Sequence, residues 1–262
     1  MRPKQVLGQL LAVAALFVLG CVPAAERRET PTAGVLAVRA IEYPGSEGEM
    51  PGHLYEPGGT VRLPGVLVLH TLTGPGPNLE AFAKRLAAEG YVTLTPDFFA
   101  LHDFGPDGRT DHPLILKDLD GALEYVASRP RVNRTRLGVV GFSFGGRAAV
   151  SYYAVTSHPH LGGALSGRAA RAKPLPARVQ AIRAPLLIHH GEADANVPVE
   201  QARLLHRAML AAGKSSSLYT YPGADHLFNF SIGPGVRFDS TAAELSWDRT
   251  LRFLDSHLKT GQ

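Results

Sequence analysis

The chain has 262 residues, 45% hydrophobic and 19% charged, a globular balance with length enough for one well-buried domain. Its formal charge of +4 comes from scattered Lys and Arg that form no basic aromatic platform, which argues against a nucleic-acid partner. The 28 Gly and 20 Pro recur at no fixed period, so a repeat architecture is excluded and a compact fold rich in loops is expected.

At the N-terminus, Met1-Arg2-Pro3-Lys4 supplies charge, residues 6–20 are apolar except for Gln9, and Cys21 follows. Charge, apolar run and small residues are the three parts of a secretory signal. The run is shorter than the roughly 20 residues that span a bilayer, so a removed or anchoring segment is expected rather than a permanent helix. Val18-Leu19-Gly20-Cys21 resembles the bacterial lipobox, and Cys21, the single cysteine, has no intramolecular disulfide partner. The resemblance implies a lipid on Cys21, with residues 1–20 as signal, 21–34 as a polar tether and 35–262 as the folded domain of an exported, membrane-anchored bacterial protein. Ordinary cleavage near Ala24 or Ala25, or an uncleaved anchor, stays open.

From residue 35 onward short β-like runs alternate with helical ones, which predicts a mostly parallel sheet covered by helices on both faces, an α/β fold. Residues 35–43 and 52–55 read as two opening strands at an antiparallel edge. Residues 65–70 form a continuous apolar run suited to a central strand. A helix over 78–89 is stopped by Gly90, which makes a left-handed cap easily. Strands follow at 91–95, 136–140, 161–165, 185–189 and 217–221. Helices are expected over 113–128, ended by Pro130, and over 145–153, 199–212 and 240–258. Arg168, Arg171, Lys173, Arg178 and Arg183 lie between two of these strands and read as a solvated face, with a lid over an anionic group as the alternative.

Gly141-Phe142-Ser143-Phe144-Gly145 matches G-x-S-x-G between a Val-rich strand and a helix, the context in which this pattern lifts a serine onto a strained turn. Ser143 is therefore the candidate nucleophile, and Phe144 N–H, at the helix start, a candidate oxyanion donor. In such a turn the partners follow in the order serine, carboxylate, histidine. Asp194, in the loop after strand 185–189, is preferred to Glu192, which reads as a solvated turn residue; His226, in the loop after the last strand, is the candidate base. Asp225 is expected to face solvent or orient that loop, and His189 and His190 are read as bystanders. A second oxyanion donor belongs in the loop at residues 70–76, with Leu72 N–H as the candidate. Phe98, Phe99, Leu227 and Phe228, with Leu72 and Phe144, are candidate walls of an apolar acyl pocket, with a place in the core as the alternative for each.

Together with Pro96-Asp97-Phe98-Phe99, residues 141–146, 191–198 and 223–228 resemble the dienelactone hydrolase family, a single-domain branch of the α/β-hydrolases without a large cap domain. The resemblance runs from about residue 35 to 258. It implies an ester or lactone hydrolase with Ser143, Asp194 and His226 as triad, Leu72 and Phe144 as oxyanion donors, a small-molecule substrate, and neither metal nor organic cofactor. The chain departs from the family where serine replaces the cysteine nucleophile of its best-known members, where Thr71 stands for a glutamate, and where Leu101 and Phe230 stand for the arginines that hold the carboxylate of a dienelactone. Without those charges bidentate carboxylate recognition is lost. The readings that compete with an ester hydrolase are a catalytically silent binding protein on this scaffold and an acyltransferase or peptidase using the same elbow. Oligomeric state is not legible.

Overall fold

The computed structural model describes residues 35–102, 113–153, 161–166, 179–231 and 237–259, with backbone alone at 147, 150–153 and 161–166. Cys21 and the tether, and the basic segment as far as Arg178, lie outside the described residues; Arg183 is exposed.

Eight strands form one sheet in the order β1-β2-β4-β3-β5-β6-β7-β8. Strands β1 (Ala37–Pro44) and β2 (Glu49–Glu56) pair antiparallel at one edge, and β2 also runs antiparallel to β4 (Val92–Pro96). From β4 onward all pairs are parallel, through β3 (Leu63–Leu69), β5 (Val132–Phe142), β6 (Leu161–Ser166), β7 (Leu186–Gly191) and β8 (Ser216–Tyr221). The expected edge hairpin and parallel centre are both present. Strand β5 is longer than the apolar run 136–140: Val132 already pairs with Leu63, and a register shift separates that pair from the continuous ladder that begins at Leu137.

Side chains alternate across a strand, so each central strand feeds two cores. On one face Leu67, Leu69 and Val139 pack beneath α2 (Pro113–Ala127), α3 (Phe144–Tyr153) and α4 (Val199–Ala211). On the other, Val66, Val68 and Val140 pack beneath α1 (Pro77–Ala88) and α5 (Ser240–Leu254). Gly90 ends α1 with φ of 88°, the left-handed conformation expected of it. The last expected helix is shorter: it stops at Leu254, and Asp255–Lys259 winds as a wider π-helical turn. The chain places β4 on one side of β3 and β5 on the other. This reversal is the topological switch point, where open α/β sheets form a crevice at the strand ends.

Candidate active site

Strand β5 carries the chain to that crevice and α3 takes it away, leaving Ser143 alone on the turn. Ser143 has φ of 51°, a left-handed conformation in which a non-glycine residue is strained and which raises its hydroxyl. The turn is tight enough to exclude side chains on both sides. A Cβ at Gly141 would lie 2.3 Å from the Gly145 carbonyl oxygen, and one at Gly145 would lie 2.5 Å from that of Leu69.

Two later loops meet this turn. Ser143 Oγ is 3.0 Å from His226 Nε2, and His226 Nδ1 is 2.8 Å from Asp194 Oδ2. A carboxylate only accepts, so Nδ1 carries the ring proton and Nε2 is left to accept from the serine hydroxyl. The other carboxylate oxygen of Asp194 accepts from Asn196 N–H at 2.9 Å and Val197 N–H at 2.8 Å. Burial alone would raise this carboxyl's pKa; the hydrogen bonds from His226 and Val197 N–H, with the nearby His226 and His190, outweigh it and hold the group below its ordinary value.

The loops after β7 and β8 are stitched together by backbone: Glu192 N–H donates to Tyr221 O and Ala193 N–H to Ala224 O, both at 2.9 Å. Asp225 Oδ1 accepts from His226 N–H at 2.7 Å and so orients the loop, and the following Leu227 is held at φ of 55°. Glu192 is exposed and pairs with Arg203, as a solvated turn residue would.

Neither neighbouring histidine is a bystander at its strand end. His190 Nε2 lies 2.9 Å from Val197 O and 3.6 Å from Asp194 Oδ2, bracing the carboxylate loop. His189 is buried between Tyr221 and Thr250, and burial, helped by Arg249, pushes its pKa down to about 3. Their position at a strand end hid this, because packing around a strand end is set by loops far away in sequence.

The candidate pocket residues separate. Ser143, His226, Leu227 and Phe228 line one small cleft. Phe98 is no wall of it: its ring is fully buried in the main core and packs on His70. Phe99 packs against Phe144 at 5.2 Å, and Leu72 is half exposed beside the elbow loop. Beyond Phe228 lies a second cavity of about 200 Å³, between the sheet and the α1/α5 layer, walled by Phe82, Phe142, Phe230 and Trp247 and sharing His189, Phe228 and Asn229 with the cleft. Leu101 is exposed and Phe230 is buried on Phe142, so neither position offers a cation. Among the described residues no cluster of metal-ligating side chains occurs.

A mostly parallel sheet covered on both faces, with a serine turn after β5 at the switch point, defines the α/β-hydrolase fold. Solved structures share it: a protein of Klebsiella pneumoniae named as a dienelactone hydrolase superposes with a TM-score of 0.72 at 25% identity, covering 84% of this chain and 99% of that one. A dienelactone hydrolase-like promiscuous phosphotriesterase from metagenomic libraries, 20% identical, superposes over 86% of this chain and 99% of its own with a TM-score of 0.75. The chain belongs to the dienelactone hydrolase family, whose model matches residues 50–258. A protein of Methylorubrum extorquens named as a carboxymethylenebutenolidase is 27% identical, covering 89% of this chain and 86% of its own length. One of Bradyrhizobium named as a 2-oxo-3-(5-oxofuran-2-ylidene)propanoate lactonase is 28% identical over 82% of this chain and 92% of its own.

Proposed function

We propose that the protein is a serine hydrolase that opens a neutral carboxylic ester or lactone through an acyl-enzyme. The observation that carries this is the unbroken relay from Ser143 Oγ through His226 to Asp194, at 3.0 and 2.8 Å. His226 Nε2 takes the serine proton as Oγ attacks the carbonyl carbon, and the imidazolium is stabilised by the Asp194 carboxylate. Leu72 N–H and Phe144 N–H hold the oxyanion. The imidazolium then returns its proton to the leaving oxygen, which in a lactone stays tethered to the acyl group. Water, deprotonated by the same His226, releases the acid and restores Ser143.

The relatives' names support lactone or ester chemistry, while Leu101 and Phe230 favour an uncharged acyl group. The apolar cavity beside the cleft suits a medium-length chain. In the cell, the N-terminal signal and Cys21 support export and lipid anchoring. Incorporation of labelled palmitate, abolished in Cys21→Ser, tests that part by itself.

The central test is labelling by a fluorophosphonate, read by intact mass and peptide mapping beside Ser143→Ala. One equivalent on Ser143, absent from the variant, is expected. A folded protein that stays unlabelled would refute the hydrolase reading and favour a silent binding protein on the same scaffold.

A further inference from the structure

His70 follows the last residue of β3 and is fully buried. Both ring nitrogens are engaged by backbone. Phe98 N–H lies 3.2 Å from Nε2, and an amide N–H only donates, so Nε2 is the acceptor. The ring proton is therefore on Nδ1, which donates to Thr71 O at 2.6 Å. Burial lowers the pKa of this imidazole, against the opposing effects of the Thr71 carbonyl and Asp97, in keeping with the neutral form that this bonding requires. The ring is clamped as well: it lies parallel to Phe144 at 5.9 Å and meets the edge of Phe99 at 4.7 Å. The His70 carbonyl accepts from Gly145 N–H at 2.9 Å, in the first turn of α3.

The Thr71 carbonyl and the Leu72 N–H belong to one peptide unit. No described peptide bond is cis, and in a trans peptide the carbonyl and N–H point in opposite directions. Fixing Thr71 O therefore fixes the aim of Leu72 N–H. Thr71 O also accepts from Gly74 N–H at 3.2 Å, closing a turn in which Leu72 is the second residue; Leu72 N–H donates to none of the described residues. One side chain thus holds the peptide that presents this free donor and stacks on the residue that supplies the other.

We propose that His70 is a positioning residue of the oxyanion hole, its Nδ1–H bond to the Thr71 carbonyl aiming Leu72 N–H at the oxygen that becomes negative during attack on Ser143. The inference rests on the serine-hydrolase reading. His70 does not touch substrate and exchanges no proton in the reaction. Its effect falls on the transition state, because the oxyanion hole grips the charged oxygen more strongly than the ground-state carbonyl.

Two variants separate aiming from packing. The amide N–H of His70→Asn reaches the place of Nδ1 and restores a donor to Thr71 O. His70→Gln, one methylene longer, places its amide at Nε2, keeping an acceptor for Phe98 N–H while removing the donor to Thr71. With a neutral p-nitrophenyl acyl ester, His70→Gln is expected to lose ~10- to 100-fold in kcat, somewhat less than the 10²–10³ typical of deleting one oxyanion donor. Its KM should stay within about threefold, while an alkylboronic acid, whose adduct puts a negative oxygen in the hole, should weaken in parallel with kcat. His70→Asn should recover most of both. Equal losses in the two variants, or losses that track their urea-unfolding stability alone, would overturn the inference. Should either variant fail to fold, nitrogen-15 NMR of the wild type decides: a protonated Nδ1 on His70 with Nε2 bare is expected, and the opposite tautomer would sink the idea. Fluorophosphonate labelling of the wild type keeps the two claims apart. If it succeeds and the variants behave alike, only the role of His70 fails; if it fails, both fall.

Discussion

Asp194 ties a structural loop to the proposed chemistry through one carboxylate. Its two oxygens are divided between His226 and the amides of Asn196 and Val197, so the group orients the imidazole and closes its own loop. Asp194→Asn would present the wrong hydrogen-bonding partner to Nδ1 and is expected to lower kcat by about 10⁴, the loss seen for the same change in a well-studied triad. The pH behaviour follows from the lowered pKa. The folded state favours the ionised form, so the stabilisation is fully present above the ordinary carboxylate range and is lost as pH falls through the folded-state value. The stability gap between wild type and Asp194→Asn should accordingly be widest near neutrality and shrink in acid, read by urea unfolding at both ends. Gly145→Ala tests the turn itself. Its added Cβ meets backbone oxygens of Leu69 and His70 at 2.5 and 2.7 Å, which cannot step aside as a side chain would. A loss of about 1–3 kcal/mol or more is expected from urea unfolding, with slower labelling of Ser143.

Among the elements, two polar ties hold loops to helices. Asp239 caps α5 by accepting from Ala242 N–H at 2.9 Å, while its own N–H donates to Phe228 O, so the cap also anchors the loop that carries His226. Asp239→Ala is expected to cost about 1 kcal/mol, with a range of 0.5–2, in urea unfolding. On the other face, Asp118 of α2 is fully buried. It accepts from Ser46 N–H at 2.6 Å and lies 2.8 Å from His102 Nε2, and His102 Nδ1 lies 3.3 Å from Glu47. This cluster joins the β1–β2 turn and the loop after β4 to α2. Removing Asp118 strands the buried His102 without its partner, so Asp118→Ala should destabilise by about 3–5 kcal/mol. Neither tie touches Ser143, so labelling of the folded fraction should be unchanged in both variants.

At the scale of the whole molecule, the buried clusters of the described residues run from Tyr43 to Leu258. If residues 1–34 are the proposed signal and tether, their deletion is expected to leave Tm within about 2 °C, less than a 1 kcal/mol change produces in a domain of this size, and to release the protein from any membrane fraction that holds the full chain. Calorimetry and fractionation check the two halves separately. Substrate preference is also a property of the assembled surface. With Leu101 exposed and Phe230 buried, neutral medium-length acyl esters should exceed carboxylate-bearing ones in kcat/KM; equal turnover across such a panel would remove the apolar acyl reading.

Local chemistry determined much of this in advance. The G-x-S-x-G turn, the β/α alternation and the chain order of Ser143, Asp194 and His226 are written in spacing, because a strained strand-to-helix turn demands small flanking residues wherever it occurs. The antiparallel edge and the left-handed Gly90 were equally legible. What tertiary structure alone decided depends on contacts across long sequence separations. Phe98 reads as a pocket aromatic but is core, since burial is set by what packs opposite. His190 reads as a strand-end bystander and nothing in the sequence singles out His70, yet they brace the Asp194 and Leu72 loops through bonds to backbone groups that come within reach only when β3, β4 and the loop after β7 are in place. Side-chain identity announces a nucleophile; the partner of a buried imidazole is chosen by the fold.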